Sequence, residues 1–334
     1  RCQGCVSPKA LTTMLSTVVL RVLFLAAAPS PDVAPEPVAA TSSELPGALR
    51  PASRTEAILV GSGDIADCQS KGDEATATLV ERFLAASDNA VAFTAGDNVY
   101  PDGTPEQYRR CYEPSWGRFK SRTLPAVGNH DARTKNSAGM RQTFAGRFSQ
   151  DGPLWYAADV KGDDAAGQPV QWRVVVLDSN CDQVDCTEKG AQYAWLKEEL
   201  RKQKTAKQVC TLVIAHHPRF TSGPHGDEEA MIPLWRLLDE GGADLVVSGH
   251  DHTYERFPAM NADGVVVAKA GIPSIVAGLG GKSRYPLMGQ RKHSLTLRND
   301  RDGVLVLRLR NDGWTSAFMS TDNEVIDLAQ GRCR

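Results

Sequence analysis

From Ala57 onward the sequence keeps returning to one pattern: a short apolar run that stops abruptly at Gly, Asp, Asn or His. Such runs read as strands, and the punctuation marks their ends. Ala57–Val60 stops at Gly61, Ala90–Thr94 runs into Gly96 and Asp97, and Leu124–Val127 into Gly128 and Asn129. Val174–Leu177 ends at Asp178, Val209–Ala215 at His216, and Leu245–Ser248 at Gly249 and His250. Amphipathic segments lie between some of them. Ala75–Ala86 puts Leu79, Val80, Phe83 and Leu84 on one helical face, and Gln192–Gln203 spaces Leu196 and Leu200 by one turn. A third helix is expected over Glu228–Leu238, which contains Pro233 and stops at Gly241-Gly242. Ile275–Val276, Val304–Leu309 and Trp314–Met319 read as late strands. The alternation predicts a layered α/β domain with mixed strands toward its C-terminal end.

The residues behind the strands decide more than the strands themselves. Loops at the carboxyl ends of strands are where α/β sheets build ligand sites. Gly63-Asp64-Ile65-Ala66 offers a carboxylate in a tight turn, and Gly96-Asp97-Asn98-Val99-Tyr100 offers another with a phenol three residues on. Gly128-Asn129-His130-Asp131 adds an amide, an imidazole and a carboxylate. Val213-Ile214-Ala215-His216 adds an imidazole, and Gly249-His250-Asp251-His252 two more. In extended backbone, residues two apart share a side. Any one of these is more often a turn former or a surface histidine than a ligand; the set argues for metal. Imidazole mixed with carboxylate suits Fe, Zn or Mn better than Ca, which prefers oxygen alone. Asp97 is suited to bridge two ions, having two oxygens.

As an ordered set over about residues 57–320, these motifs resemble the metallophosphoesterase (calcineurin-like) superfamily, and within it the purple acid phosphatase branch. Most of the superfamily has His two residues after the first Asp; here Ala66 stands there, where the purple branch normally has Gly. The Gly96–Tyr100 pattern and the stretch Gly249–Arg256 are like the purple branch. The resemblance implies a four-layer α/β/β/α sandwich of two mixed sheets flanked by helices, over residues 56–334. It implies two metal ions. Asp64, Asp97, Tyr100 and His252 would hold the first, Fe(III) in the family. Asp97, Asn129, His216 and His250 would hold the second, a divalent Fe, Zn or Mn. It places His130 and His225 outside the metals as acids, with Asp131 orienting His130. The activity implied is hydrolysis of phosphate monoesters, a hydroxide between the metals attacking phosphorus in line. Two rivals stay open: a phosphodiesterase on the same scaffold, and a metal-binding protein without turnover. His217 has no assigned role and is read as supporting the site or facing solvent; His293 is read as surface.

The remaining sequence bears on compartment and partners. A formal net charge of -2 gives no global field for nucleic acid, so a small phosphorylated substrate is the expected partner. Residues 1–28 read as a signal peptide or apolar leader: basic Arg1 and Lys9 precede Leu11–Ala28, which ends in three alanines. Arg21 inside it argues against a stable membrane span. Residues 29–55 read as a Pro/Ala-rich linker. The expected location is secreted or periplasmic, which permits disulfides. Of eight cysteines, Cys2 and Cys5 would leave with the leader. Cys181 with Cys186 and Cys68 with Cys111 are the expected pairs, and Cys210, inside an apolar run, is expected as a buried thiol.

Overall fold

The computed structural model describes residues 49–205, 210–267 and 270–334. In chain order its first half holds β1 (Ile58–Ser62), β2 (Ala66–Asp67), α1 (Gly72–Ala86), β3 (Ala90–Thr94), β4 (Val99–Tyr100), α2 (Pro105–Gln107), β5 (Thr123–Pro125), α3 (Ala138–Thr143), β6 (Tyr156–Asp163) and β7 (Pro169–Val176). The second half holds α4 (Ala191–Thr205), β8 (Cys210–Ile214), α5 (Ile232–Gly241), β9 (Leu245–Ser248), β10 (Tyr254–Met260), β11 (Ile272–Ala277), β12 (Thr296–Arg298), β13 (Gly303–Arg310), β14 (Gly313–Ser320) and β15 (Val325–Arg332).

These strands form two mixed sheets, ordered β15-β14-β13-β1-β3-β5 and β12-β10-β11-β9-β8-β7-β6, with β2 and β4 as a separate short pair. The period of two along each strand divides the apolar side chains between layers. Leu59 of β1, Phe93 of β3 and Leu305 and Leu307 of β13 share a core with Trp172, Val174 and Val176 of β7 and Leu212 and Ile214 of β8. That core lies between the sheets. Ile58 and Val60 face the other way and pack with Leu79, Val80 and Phe83 of α1. On the opposite side, Val213 and Val246 pack with Leu196 and Leu200 of α4 and Leu234 and Trp235 of α5. The result is the expected helix, sheet, sheet, helix sandwich. Within it β1, β3 and β5 run parallel, as do β7, β8, β9 and β11.

Several elements differ from the sequence reading for clear reasons. The third helix is split: Glu229–Met231 is a 3-10 turn and α5 begins at Ile232. Pro233 thus sits in a first turn, where its missing N–H costs nothing. Gly242 ends α5 at φ +81, a conformation that favours glycine. β6 and β15 escaped the pattern because they are edge strands whose apolar residues are interrupted by Asp159 and Lys161 and by Asp327 and Gln330. β10 escaped because Glu255, Arg256 and Pro258 interrupt it.

The leader at 1–28 and most of the linker at 29–55 lie outside the described residues. The end of that linker packs on the domain: Leu49 is buried in the core that α1 also joins, and Arg54 pairs with Asp88 at 2.5 Å. Cys68–Cys111 and Cys181–Cys186 pair as expected. Cys210 does not remain a thiol; it is bonded to Cys333, 123 residues away. The β14–β15 hairpin returns the chain end to the start of β8, a long-range approach that local hydropathy cannot reveal.

Candidate metal centre

The parallel strands of both sheets end on one side of the molecule, and their loops interlock there. Asp64 N–H donates to the Gly96 carbonyl at 3.1 Å, Ile65 N–H to Asp97 at 3.0 Å and Gly249 N–H to His216 at 3.0 Å. Three non-glycine residues at these ends take positive φ: Asp64 (59°), Asp97 (47°) and His250 (72°). Such strain persists only where surroundings impose it, and it clusters at functional sites. Two glycines are required by crowding. A Cβ on Gly96 would lie 2.4 Å from the His216 ring, and one on Gly128 would lie 2.1 Å from the Asp97 carboxylate.

Two groups of donors result. In one, Asn129 Oδ1 lies 3.0 Å from His216 Nε2 and 3.0 Å from His250 Nδ1, and the two ring nitrogens are 3.2 Å apart. His216 Nδ1–H donates to the Ala95 carbonyl at 2.8 Å, which turns Nε2 inward, where a bound cation would replace its proton. In the other, the Tyr100 hydroxyl is 2.9 Å from Asp64 Oδ1 and 3.1 Å from His252 Nε2. His252 Nδ1–H donates to the Ser283 carbonyl, freeing Nε2. Asp97 joins the groups: single ligand atoms of Asp64, Asp97 and His216 all lie within 4.8 Å of one another. A ring nitrogen anchored on a carbonyl, with the other aimed at shared oxygens, is the arrangement of metal-binding histidines.

The electrostatics agree. Burial pushes the Asp64 carboxyl well above its usual range, against the pull of His216. Burial also acts on Asp97, but the charge and hydrogen bond of His216 outweigh it and hold the carboxyl low. His216 is lifted to about 9, burial being overcome by Asp97. Burial brings His252 down to about 4, and burial with His216 pushes His250 down. Burial, Asp64 and Asp97 drive the Tyr100 phenol up. Lone pairs and carboxylates confined this closely are a donor set that bound cations would stabilise. The residues present therefore fit metal ions.

Around this set lie groups that do not belong to it. His130 stacks at a tilt on Tyr100, ring centroids 4.3 Å apart, and holds the Pro101 carbonyl through Nδ1 at 2.5 Å. Its Nε2 lies 3.9 Å from Asp97 Oδ2. Asp131 does not orient it. That carboxylate is buried and accepts from Asn98 N–H, Asn98 Nδ2 at 2.8 Å, Gly128 N–H at 2.9 Å and the Tyr108 hydroxyl at 2.7 Å. It ties the loop of Asp97 to the loop of Asn129 instead. The carboxylate that does hold an imidazole is Asp251, whose Oδ1 accepts from His225 Nδ1 at 2.8 Å while Oδ2 accepts from Thr221 at 2.7 Å. The His225 ring lies 4.3 Å from that of His250. His217 is buried beside His216 and His250 rather than in solvent: one ring nitrogen of each lies within 4.8 Å of the others, and His217 Nδ1 is 2.9 Å from Ser179 Oγ. His293 is exposed. Sequence reasoning also missed Tyr285, stacked on His252 at 4.1 Å and edge-on to His225. It stands in an irregular segment that no motif marks.

The sequence model of the calcineurin-like phosphoesterase family matches residues 61–254. The chain belongs to that family. Within it, the similarity runs to purple acid phosphatases. Purple acid phosphatase 23 of Arabidopsis thaliana is 32% identical over 44% of this chain and 34% of its own length. Purple acid phosphatase 1 of Ipomoea batatas is 28% identical over 51% of this chain and 37% of its own. The chain thus spans little more than a third of those relatives. Two solved structures share the fold with a TM-score of 0.63: purple acid phosphatase PPD1 from yellow lupin seeds (17% identity, 84% of this chain, 54% of that one) and GAP50, the anchor in the inner membrane complex of Plasmodium (19%, 84% and 90%). The matched family is one of phosphoesterases, and the donors gathered here fit metal ions.

Proposed function

We propose that this phosphoesterase hydrolyses phosphate monoesters at a two-metal centre bridged by Asp97. The observation that carries the reading is a pair of imidazoles, His130 and His225, standing beside a donor set they do not join. Metal storage would need neither. Asp64, Asp97, Tyr100 and His252 would hold the first ion, Fe(III), and Asp97, Asn129, His216 and His250 the second, a divalent Fe, Zn or Mn. When bound, such ions neutralise phosphoryl oxygens and activate water as a nucleophile near neutral pH.

The protein's own groups supply the rest. With Nδ1–H of His130 committed to Pro101, Nε2 is the atom that meets substrate, and in its protonated form it donates to the leaving oxygen or an equatorial one. Asp251 fixes the His225 ring in the same way through Nδ1, so that Nε2 is the nitrogen left to serve as a second proton donor. Asp131 holds the two loops in register, so its part is positional. Tyr285 closes one wall over His252.

The compartment reading has independent support. The three disulfides among the described residues suit an oxidising environment, and among the same residues no helix is long and apolar enough to cross a membrane. Export, with a small phosphorylated substrate and no nucleic-acid partner, is part of the proposal. The non-enzymatic rival gains weight from one neighbour, since GAP50 is described as an anchor. Initial rates on p-nitrophenyl phosphate and bis-p-nitrophenyl phosphate decide among the readings, with protein loaded with Fe and Zn or Mn. A clear excess on the monoester is expected. An excess on the diester would replace the proposal with a phosphodiesterase, and no turnover with metals bound would favour the anchor-like rival.

A further inference from the structure

We propose that Arg133 selects phosphate esters whose leaving group carries a second anionic group, such as a carboxylate, close to the ester oxygen. The inference rests on the monoesterase reading above. The 3-10 turn Asp131–Arg133 follows His130 directly and folds Arg133 back over it. Arg133 Nη2 lies 3.4 Å from His130 Nε2, and Nη1 donates to the Pro101 carbonyl at 3.0 Å. The same carbonyl accepts from His130 Nδ1–H. One backbone oxygen therefore fixes an imidazole and a guanidinium as a pair. On the reading above, a leaving oxygen that takes its proton from His130 Nε2 would carry its substituent out against Arg133.

The charge there can be engaged by substrate. Its carboxylate neighbour, Asp102, is 3.5 Å away, with both side chains about half exposed (47% and 51%). An exposed pair of that kind contributes little and is readily replaced. Of the other cations near the centre, Lys282 is committed to Asp67 and the Tyr100 ring, and Arg284 reaches Asp302 and the Asp300 carbonyl rather than His130. A guanidinium also matches a carboxylate or phosphate as a fork, which an ammonium does not. A neutral alcohol leaving group would leave that fork unused.

The test compares two esters with the same reacting atoms, glycerol 2-phosphate and 2-phosphoglycerate, on metal-loaded wild type, R133Q and R133K. The wild type is expected to favour 2-phosphoglycerate, chiefly through KM. The ratio of kcat/KM for the two esters should fall about fivefold in R133Q, the upper range for an exposed ion pair, and recover in part in R133K. Loss of the Pro101 contact alone would slow both esters alike and leave the ratio untouched. A ratio in R133Q equal to that of wild type overturns the assignment. Should the wild type turn over neither ester, the monoesterase reading fails by itself. The same ratio is then read from the two Kd values by calorimetry on metal-loaded protein, and equal ratios in wild type and R133Q again overturn the role of Arg133.

Discussion

Asp131 follows the Gly128-Asn129-His130 run and invites a catalytic role, yet its contacts predict a structural one with a definite size. Replacing it with alanine strands three buried donors, Asn98 N–H, Gly128 N–H and the Tyr108 hydroxyl, and takes one of two acceptors from the Asn98 side-chain amide, which keeps the Ala126 carbonyl. An unsatisfied buried donor costs about 1–3 kcal/mol, so even at the low end D131A loses about 3 kcal/mol, a large share of a typical domain's stability. Asparagine should behave differently. Its oxygen can take the place of Oδ2 and accept from Gly128 and Asn98, while its amide donates to the Tyr108 hydroxyl, which rotates to accept. D131N should therefore lose only about 1–2 kcal/mol. Urea unfolding of EDTA-treated wild type, D131A and D131N measures both without contributions from metal binding. D131A within about 1 kcal/mol of wild type, or no more damaged than D131N, would refute this hydrogen-bond accounting.

Other expectations follow from neighbouring contacts. H130A should keep its metal content, by elemental analysis, while kcat on p-nitrophenyl phosphate falls roughly a hundredfold or more, the usual scale for a lost general acid. D251N should lower kcat about tenfold or more by releasing the His225 ring, and a wild-type rate would show that His225 works without it. Y100F should abolish the visible phenolate-to-Fe(III) band of iron-loaded protein; an unchanged spectrum would remove Tyr100 from the ligand set. C210S together with C333S should lower stability by about 3 kcal/mol in oxidising buffer, read as a fall in the urea midpoint.

What the sequence discloses and what it hides divide along physical lines. Asp64, Asp97, Asn129, His216 and His250 are legible because each follows an apolar run closely, and strand ends in parallel sheets gather on one side. The layers are legible because β1, β8 and β9 are buried on both faces and read as unbroken apolar segments. Contacts that depend on tertiary approach are hidden. Cys210 looks like a core thiol until β15 brings Cys333 to it. Asp131 and Asp251 stand in equivalent places beside histidines, yet only the fold shows that Asp251 turns to His225 while Asp131 turns to Asn98 and Tyr108. Tyr285 sits in a segment without helix or strand, where no periodicity exists to read.

The central claim is that Asp97 joins two donor groups into one two-metal site. Metal stoichiometry of the chain after reconstitution with Fe and Zn, by elemental analysis following gel filtration, tests it most directly. Two ions per chain in the wild type, with both affinities weakened together in D97N, is the predicted result. One ion per chain, or a D97N variant that still binds two as tightly as wild type, would contradict it.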